Sequence, residues 1–121
     1  CNSPDKTTLL EKQYHDNGLL QAVGYKIDTL KTGTWYEFDE YGRLMFEFTY
    51  IDGILNGEAV EYRNGSLFGV YQFQHGKILG VTRTFFENGR LMDIENYIEG
   101  KPNGILLSFD SLGIIEEFEI Q

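Results

Sequence analysis

The sequence predicts an all-β protein: a single-domain array of antiparallel β-hairpin repeats, about 24 residues each, forming a twisted, curled meander sheet. Three observations carry that expectation. Gly18, Gly42, Gly65, Gly89 and Gly113 lie 24, 23, 24 and 24 residues apart, and Gly33, Gly57, Gly80 and Gly104 follow the first four by 15 residues each. Around these glycines the residue types recur in phase. No segment shows a sustained helical spacing of apolar side chains.

The elements follow in order from each first-series glycine. A large aliphatic stands two residues on: Leu20, Leu44, Leu67, Leu91, Ile115. It opens a longer strand that ends near an aromatic, Tyr25, Tyr50, Phe73 or Tyr97. A second turn follows, marked by Gly53, Gly76 and Gly100, with Asp28 expected in that role in copy one. A shorter strand runs on from the second-series glycine to Phe38, Tyr62, Phe85 or Phe109. Asn17-Gly18, Asn64-Gly65 and Asn88-Gly89 then predict tight hairpin turns, because Asn and Gly tolerate positive φ. Pro102 falls in a connection, where its missing N–H harms no ladder. Four copies are complete, and a fifth contributes its first strand.

The shorter strands alternate. Tyr36/Phe38, Val60/Tyr62, Val81/Arg83/Phe85 and Ile105/Leu107/Phe109 point one way; Trp35/Glu37, Ala59/Glu61, Thr82/Thr84 and Leu106/Ser108 point the other. The first set reads as the apolar face. In the longer strands, Val70 with Phe73 and Ile94 with Tyr97 break alternation, which predicts bulges there.

The stretches "YRNGSL", "FFENGRL" and "YIDGILNG" carry a recurring aromatic, glycine and leucine pattern. It resembles MORN-type repeats in their bacterial variant form, over residues 14–121. The resemblance implies hairpins laid side by side. It also implies a binding role, since some bacterial proteins of this kind are antitoxin-like or immunity-like.

The formal net charge is −9, and residues after Lys101 carry only acids. Such a surface repels nucleic acid and anionic lipid headgroups. It steers toward a basic protein partner. Ten strands at ~4.8 Å each would extend roughly 45–50 Å. A layer that wide has apolar surface to cover and open edges, so a homodimer is one expected way of covering it.

Cys1 is the single cysteine, and the opening "CNSPDKTT" resembles the mature N-terminus of a bacterial lipoprotein. On that reading Cys1 is the lipid attachment site, residues 1–8 are a tether and residues 9–121 the repeat domain. The protein would sit at the cell envelope, with the cytoplasm as the alternative. The lipid would be its sole link to a membrane.

The chemistry-bearing residues point away from catalysis. His15 and His75 stand in turns of different copies with no cysteine nearby, too few ligands for zinc. Ser66, Ser108 and Ser111 lack a nucleophile motif. "GILNGE" and "GKPNGI" lack the Lys-Ser/Thr ending of a phosphate loop. Asn64-Gly-Ser is formally a glycosylation acceptor but reads as a turn. Neither a cofactor nor a metal is expected. Glu37 and Glu61 occupy equivalent places and are expected on one solvated face. Trp35, Tyr36, Glu37 and Glu61 are therefore the candidate binding residues, with Trp35 as the contact anchor if exposed. The expected function is a non-catalytic protein-interaction module. The alternative is a tethered structural lipoprotein that binds a glycan or small ligand.

Overall fold

A computed structural model describes residues 7–121; Cys1 and most of the expected tether lie outside the described residues. The chain forms one antiparallel meander of twelve strands, and no helix occurs among the described residues. The long strands are β1 (Thr8–Tyr14), β2 (Leu20–Ile27), β3 (Leu30–Phe38), β4 (Leu44–Ile51), β6 (Gly57–Arg63), β7 (Ser66–Gln74), β9 (Gly80–Phe85), β10 (Leu91–Ile98), β11 (Lys101–Phe109) and β12 (Ile115–Ile120). They pair strictly in chain order. Two short strands, β5 (Ile54–Leu55) and β8 (Lys77–Ile78), pair with β4 and β7 and run on into β6 and β9. The sheet is open: β1 and β12 are its edges. β1 begins at Thr8, the last residue of the expected tether.

Two kinds of turn alternate along the two rims. On one rim, Gly18, Gly42, Gly89 and Gly113 have φ between 86° and 89°. Each donates its N–H three residues back, as in Gly18 to the His15 carbonyl at 2.9 Å. This is a type I turn closed by a left-handed glycine, which leaves a bulge beside it. The pairing shifts at these turns accordingly, for example between Glu37 and Phe38. Only Asn64-Gly65 on this rim is a two-residue turn, with φ of 50° and 82°.

On the other rim the turns are Asp52-Gly53, His75-Gly76 and Glu99-Gly100, all with both φ positive. In copy one the same place is Asp28-Thr29, and Asp28 has φ 59°. So Thr29, rather than Asp28, stands where the other copies place glycine. Successive turns are linked. Gly53, Gly76 and Gly100 donate to the carbonyls of Lys31, Leu55 and Ile78 at 2.8–3.0 Å. The second-series glycines make no turn. Gly33, Gly57, Gly80 and Gly104 lie within or at the start of strands with positive φ, where the ladder is irregular.

The expected bulges in the longer strands are corrected in detail. β7 pairs without interruption from Gly69 to Phe73, so Val70 and Phe73 lie on opposite faces. At Ile94 and Tyr97 the irregularity exists, but the extra residues belong to β11, between Pro102 and Leu106. Both faces of the sheet carry apolar side chains, so broken alternation did not require a bulge.

The single layer buries little. Its accessible surface is 8013 Å², whereas a compact chain of this mass exposes roughly 6,700 Å². Among the described residues the buried apolar side chains are Ala22, Trp35 and Ala59.

Candidate functional site

Pairing register assigns each residue to a face. Gln13, Ala22, Glu37, Phe46, Glu61, Gly69, Thr84, Asp93, Ser108 and Glu117 form one unbroken row across all ten long strands. Trp35, Phe48, Ala59 and Tyr71 share this face, as do Thr82, Glu95, Leu106 and Glu119. We call it the tryptophan face. The opposite, tyrosine face carries Val23, Tyr36, Glu47, Val60, Val70, Arg83, Ile94, Leu107 and Phe118 in a row of their own.

The four candidate binding residues therefore do not form one site. Glu37 and Glu61 share a face, as expected, with Phe46 between them. Tyr36 is on the other face, 38% exposed. Trp35 has no exposed surface at all. Alternation in the sequence makes the Tyr36 side the apolar face, yet the deepest burial is on the Trp35 side. The reason is Gly24. Its missing side chain leaves room for the indole, and a Cβ there would lie 2.3 Å from the Trp35 ring. The indole N–H donates to the Tyr25 carbonyl at 2.9 Å. The Lys31 ammonium lies 4.7 Å from the indole centroid and 5.0 Å from that of Tyr50, a cation–π contact over both. Trp35 is a structural plug and cannot serve as a contact anchor.

Neighbouring copies arrange the same two positions differently. The pair is Gly24 and Trp35 in copy one, Phe48 and Ala59 in copy two, Tyr71 and Thr82 in copy three. Bulk placed on the short strand in copy one is placed on the long strand in the next two. Ala59 is consequently a floor, 1% exposed, with Phe48 and Tyr71 on the strands to either side. With Phe46, Phe73 and Ile78 these residues wall an open cleft of about 240 Å³. Phe46 and Phe48 stack at 5.0 Å, with ring planes 16° apart. Glu61 closes one end. Its two oxygens accept from Tyr71 Oη at 2.8 Å and Arg63 Nε at 3.1 Å. Arg63 also stacks on Phe68, 3.4 Å from the ring centroid.

Tyr71 lies back over Gly69, where a Cβ would meet its hydroxyl at 2.4 Å. Burial, and then the bond to Glu61, push the Tyr71 phenol well above its ordinary value. Tyr97 is raised in the same direction by burial and its 2.9 Å bond to Glu95. On the tyrosine face, Tyr62 donates to Glu47 at 2.5 Å, and chiefly for that reason its pKa is pushed up to about 12. The Thr82 hydroxyl, in the same row as Ala59, is buried without a hydrogen-bond partner among the described residues.

The far end of the tryptophan face is acidic. Asp93 and Glu95 on β10 and Glu117 and Glu119 on β12 flank Ser108 and Leu106 of β11. At ~4.8 Å per strand the carboxylates of β10 and β12 stand about 10 Å apart. Asp93 accepts from Ser108 and Thr84 hydroxyls, which orient the charge without cancelling it. None of the four is in a side-chain ion pair among the described residues.

Other rim side chains tie neighbouring turns to one another. His15 Nε2 is 2.9 Å from the Phe38 carbonyl, and the Asn17 and Asn88 amides donate to the Glu40 and Ser111 carbonyls one copy on.

No family model matches the chain, and no curated protein matches it.

Proposed function

We propose that the protein is a non-catalytic interaction module that binds a basic protein partner across its tryptophan face. The observation that carries this reading is the pairing, on one exposed face, of an aromatic cleft with four carboxylates that have no ion-pair partner among the described residues. A net charge of −9 supports it by steering basic partners to the surface. The single layer supports it too, since it spends most of its side chains on surface rather than core. Binding would occlude the partner's surface, with no bond made or broken. The likeness to antitoxin- or immunity-like MORN-type repeats rests on the sequence motifs and belongs to the same proposal.

The test is capture of proteins from an extract of the source cells on the immobilised chain. We expect the captured proteins to be basic and released by salt. A variant with Asp93→Asn, Glu95→Gln, Glu117→Gln and Glu119→Gln should lose them. Undiminished capture by that variant would contradict the proposal.

A further inference from the structure

We propose that the tyrosine face pairs with the same face of a second copy, the two sheets being related by a two-fold axis that runs along the strands between β6 and β7. This is the face that the interaction reading leaves free.

Four neighbouring strands carry the inference. Across β4, β6, β7 and β9 the tyrosine row reads Glu47, Val60, Val70, Arg83. An acid and a base stand at its two ends, with two valines between them. Within one chain the charges are three strands apart, or roughly 14 Å, too far to meet. Neither has an ion-pair partner among the described residues. Arg83 is exposed, and Glu47 accepts from the Tyr62 hydroxyl, a neutral donor that leaves its charge uncancelled.

A two-fold axis in that place lays β4 of one copy over β9 of the other. Glu47 then faces Arg83 of the partner subunit, and Arg83 faces Glu47 of the partner subunit. Val60 faces Val70 of the partner subunit in the same way. The row is self-complementary, as a two-fold interface requires. The flanking strands extend the match, since Tyr36 on β3 meets Ile94 of the partner subunit on β10. The two faces of the sheet thus differ in what they suit. The tryptophan face gathers unpaired acids at one end, whereas this row sets one acid, Glu47, against Lys12 and Arg83.

Geometry permits the contact. Sheets packed face to face lie ~10 Å apart with their strands within about 30° of each other. The charged positions are about 7 Å from the axis, so such a crossing displaces them by only about 4 Å along the strand, which an arginine side chain spans. The outer strands diverge, and the contact centres on the six long strands from β3 to β10, roughly 29 Å by 17 Å. That gives roughly 500 Å² a side and about 1,000 Å² in all, the lower end of specific interfaces. The dimer is accordingly one of modest affinity. Its ion pairs add little energy, but they fix the register, because like charges set face to face are costly.

The experiment is sedimentation equilibrium of the full chain over micromolar to millimolar concentrations. We expect a monomer–dimer equilibrium. Arg83→Glu and Glu47→Arg each set like charges at both contacts and should weaken the dimer roughly tenfold or more. Mixed in equal amounts, the two variants should associate with each other roughly tenfold or more tightly than either does with itself, because two acids of one chain then face two bases of the other. Neutralising the four acids of the tryptophan face should leave the dimer unchanged. Should Glu47→Arg fail to fold through loss of the Tyr62 bond, Arg83→Glu decides alone, with Arg83→Lys expected to keep the dimer. A monomer at every concentration, a dimer indifferent to Arg83→Glu, or a mixture no tighter than its parts would overturn the inference.

Discussion

Copy one and copy two share a backbone but use their inner face in opposite ways. In copy one, Trp35 lies over Gly24 under a Lys31 cap, and its ring is fully buried. In copy two, Phe48 and Ala59 divide the bulk the other way, and a cleft remains open. The difference is one of side-chain volume at two facing positions. It shows how a repeat can serve as core in one place and leave an open aromatic cleft in the next without any change of topology.

The largest effect should come from making copy one like copy two. Trp35→Ala removes the one large, fully buried side chain among the described residues and should cost about 3–5 kcal/mol, read from the denaturant midpoint. In a single-layer sheet with so small a core, that loss should unfold much of the population at room temperature. Gly24→Ala comes next. Its Cβ meets the indole, and overpacking of this kind costs about 1–3 kcal/mol. Added to Trp35→Ala, the same change should cost almost nothing, because the clash is gone. A double-mutant cycle that came out additive would break the account of Gly24.

Thr82→Val sharpens the comparison in the other direction. Removing a buried hydroxyl that has no partner among the described residues should stabilise the protein by about 1 kcal/mol, again by denaturant midpoint.

The smallest effect concerns pH. The Tyr62 phenol is raised to about 12 in the folded chain by its bond to Glu47. Its contribution to stability is therefore complete below the ordinary phenol value of about 10 and lost as pH rises through 12. Tyr71, raised further, acts in the same sense. Alkaline unfolding followed by circular dichroism should begin at lower stability in Tyr62→Phe and flatten between pH 10 and 12.

Much of the fold was legible because backbone reversal needs particular residues. Glycines at fixed intervals reported the hairpins, and their neighbours reported the strands. The second-series glycines kept the period without reporting a turn, since a bulge and a turn both call for positive φ. The face assignment was not legible from alternation, because both faces of an uncovered layer carry apolar residues. Yet one signal was available. Gly24 and Gly69 fall outside every glycine series, and neither has a positive φ. Each lies beneath an aromatic ring, of Trp35 and Tyr71 respectively. A glycine off the period marks a place where a side chain needs room, and that would have buried Trp35 in advance. The cleft beside Ala59 has a similar signal in the sequence: between Gly24/Trp35 and Phe48/Ala59 the large residue changes strand.

The contrast between a filled and an open copy is tested most directly by the fluorescence of Trp35, the single tryptophan. The account predicts blue-shifted emission with little quenching by acrylamide, collapsing to solvent-exposed emission only on unfolding. Red-shifted, readily quenched emission from the folded protein would show that the indole is not a plug, and the contrast would fall with it.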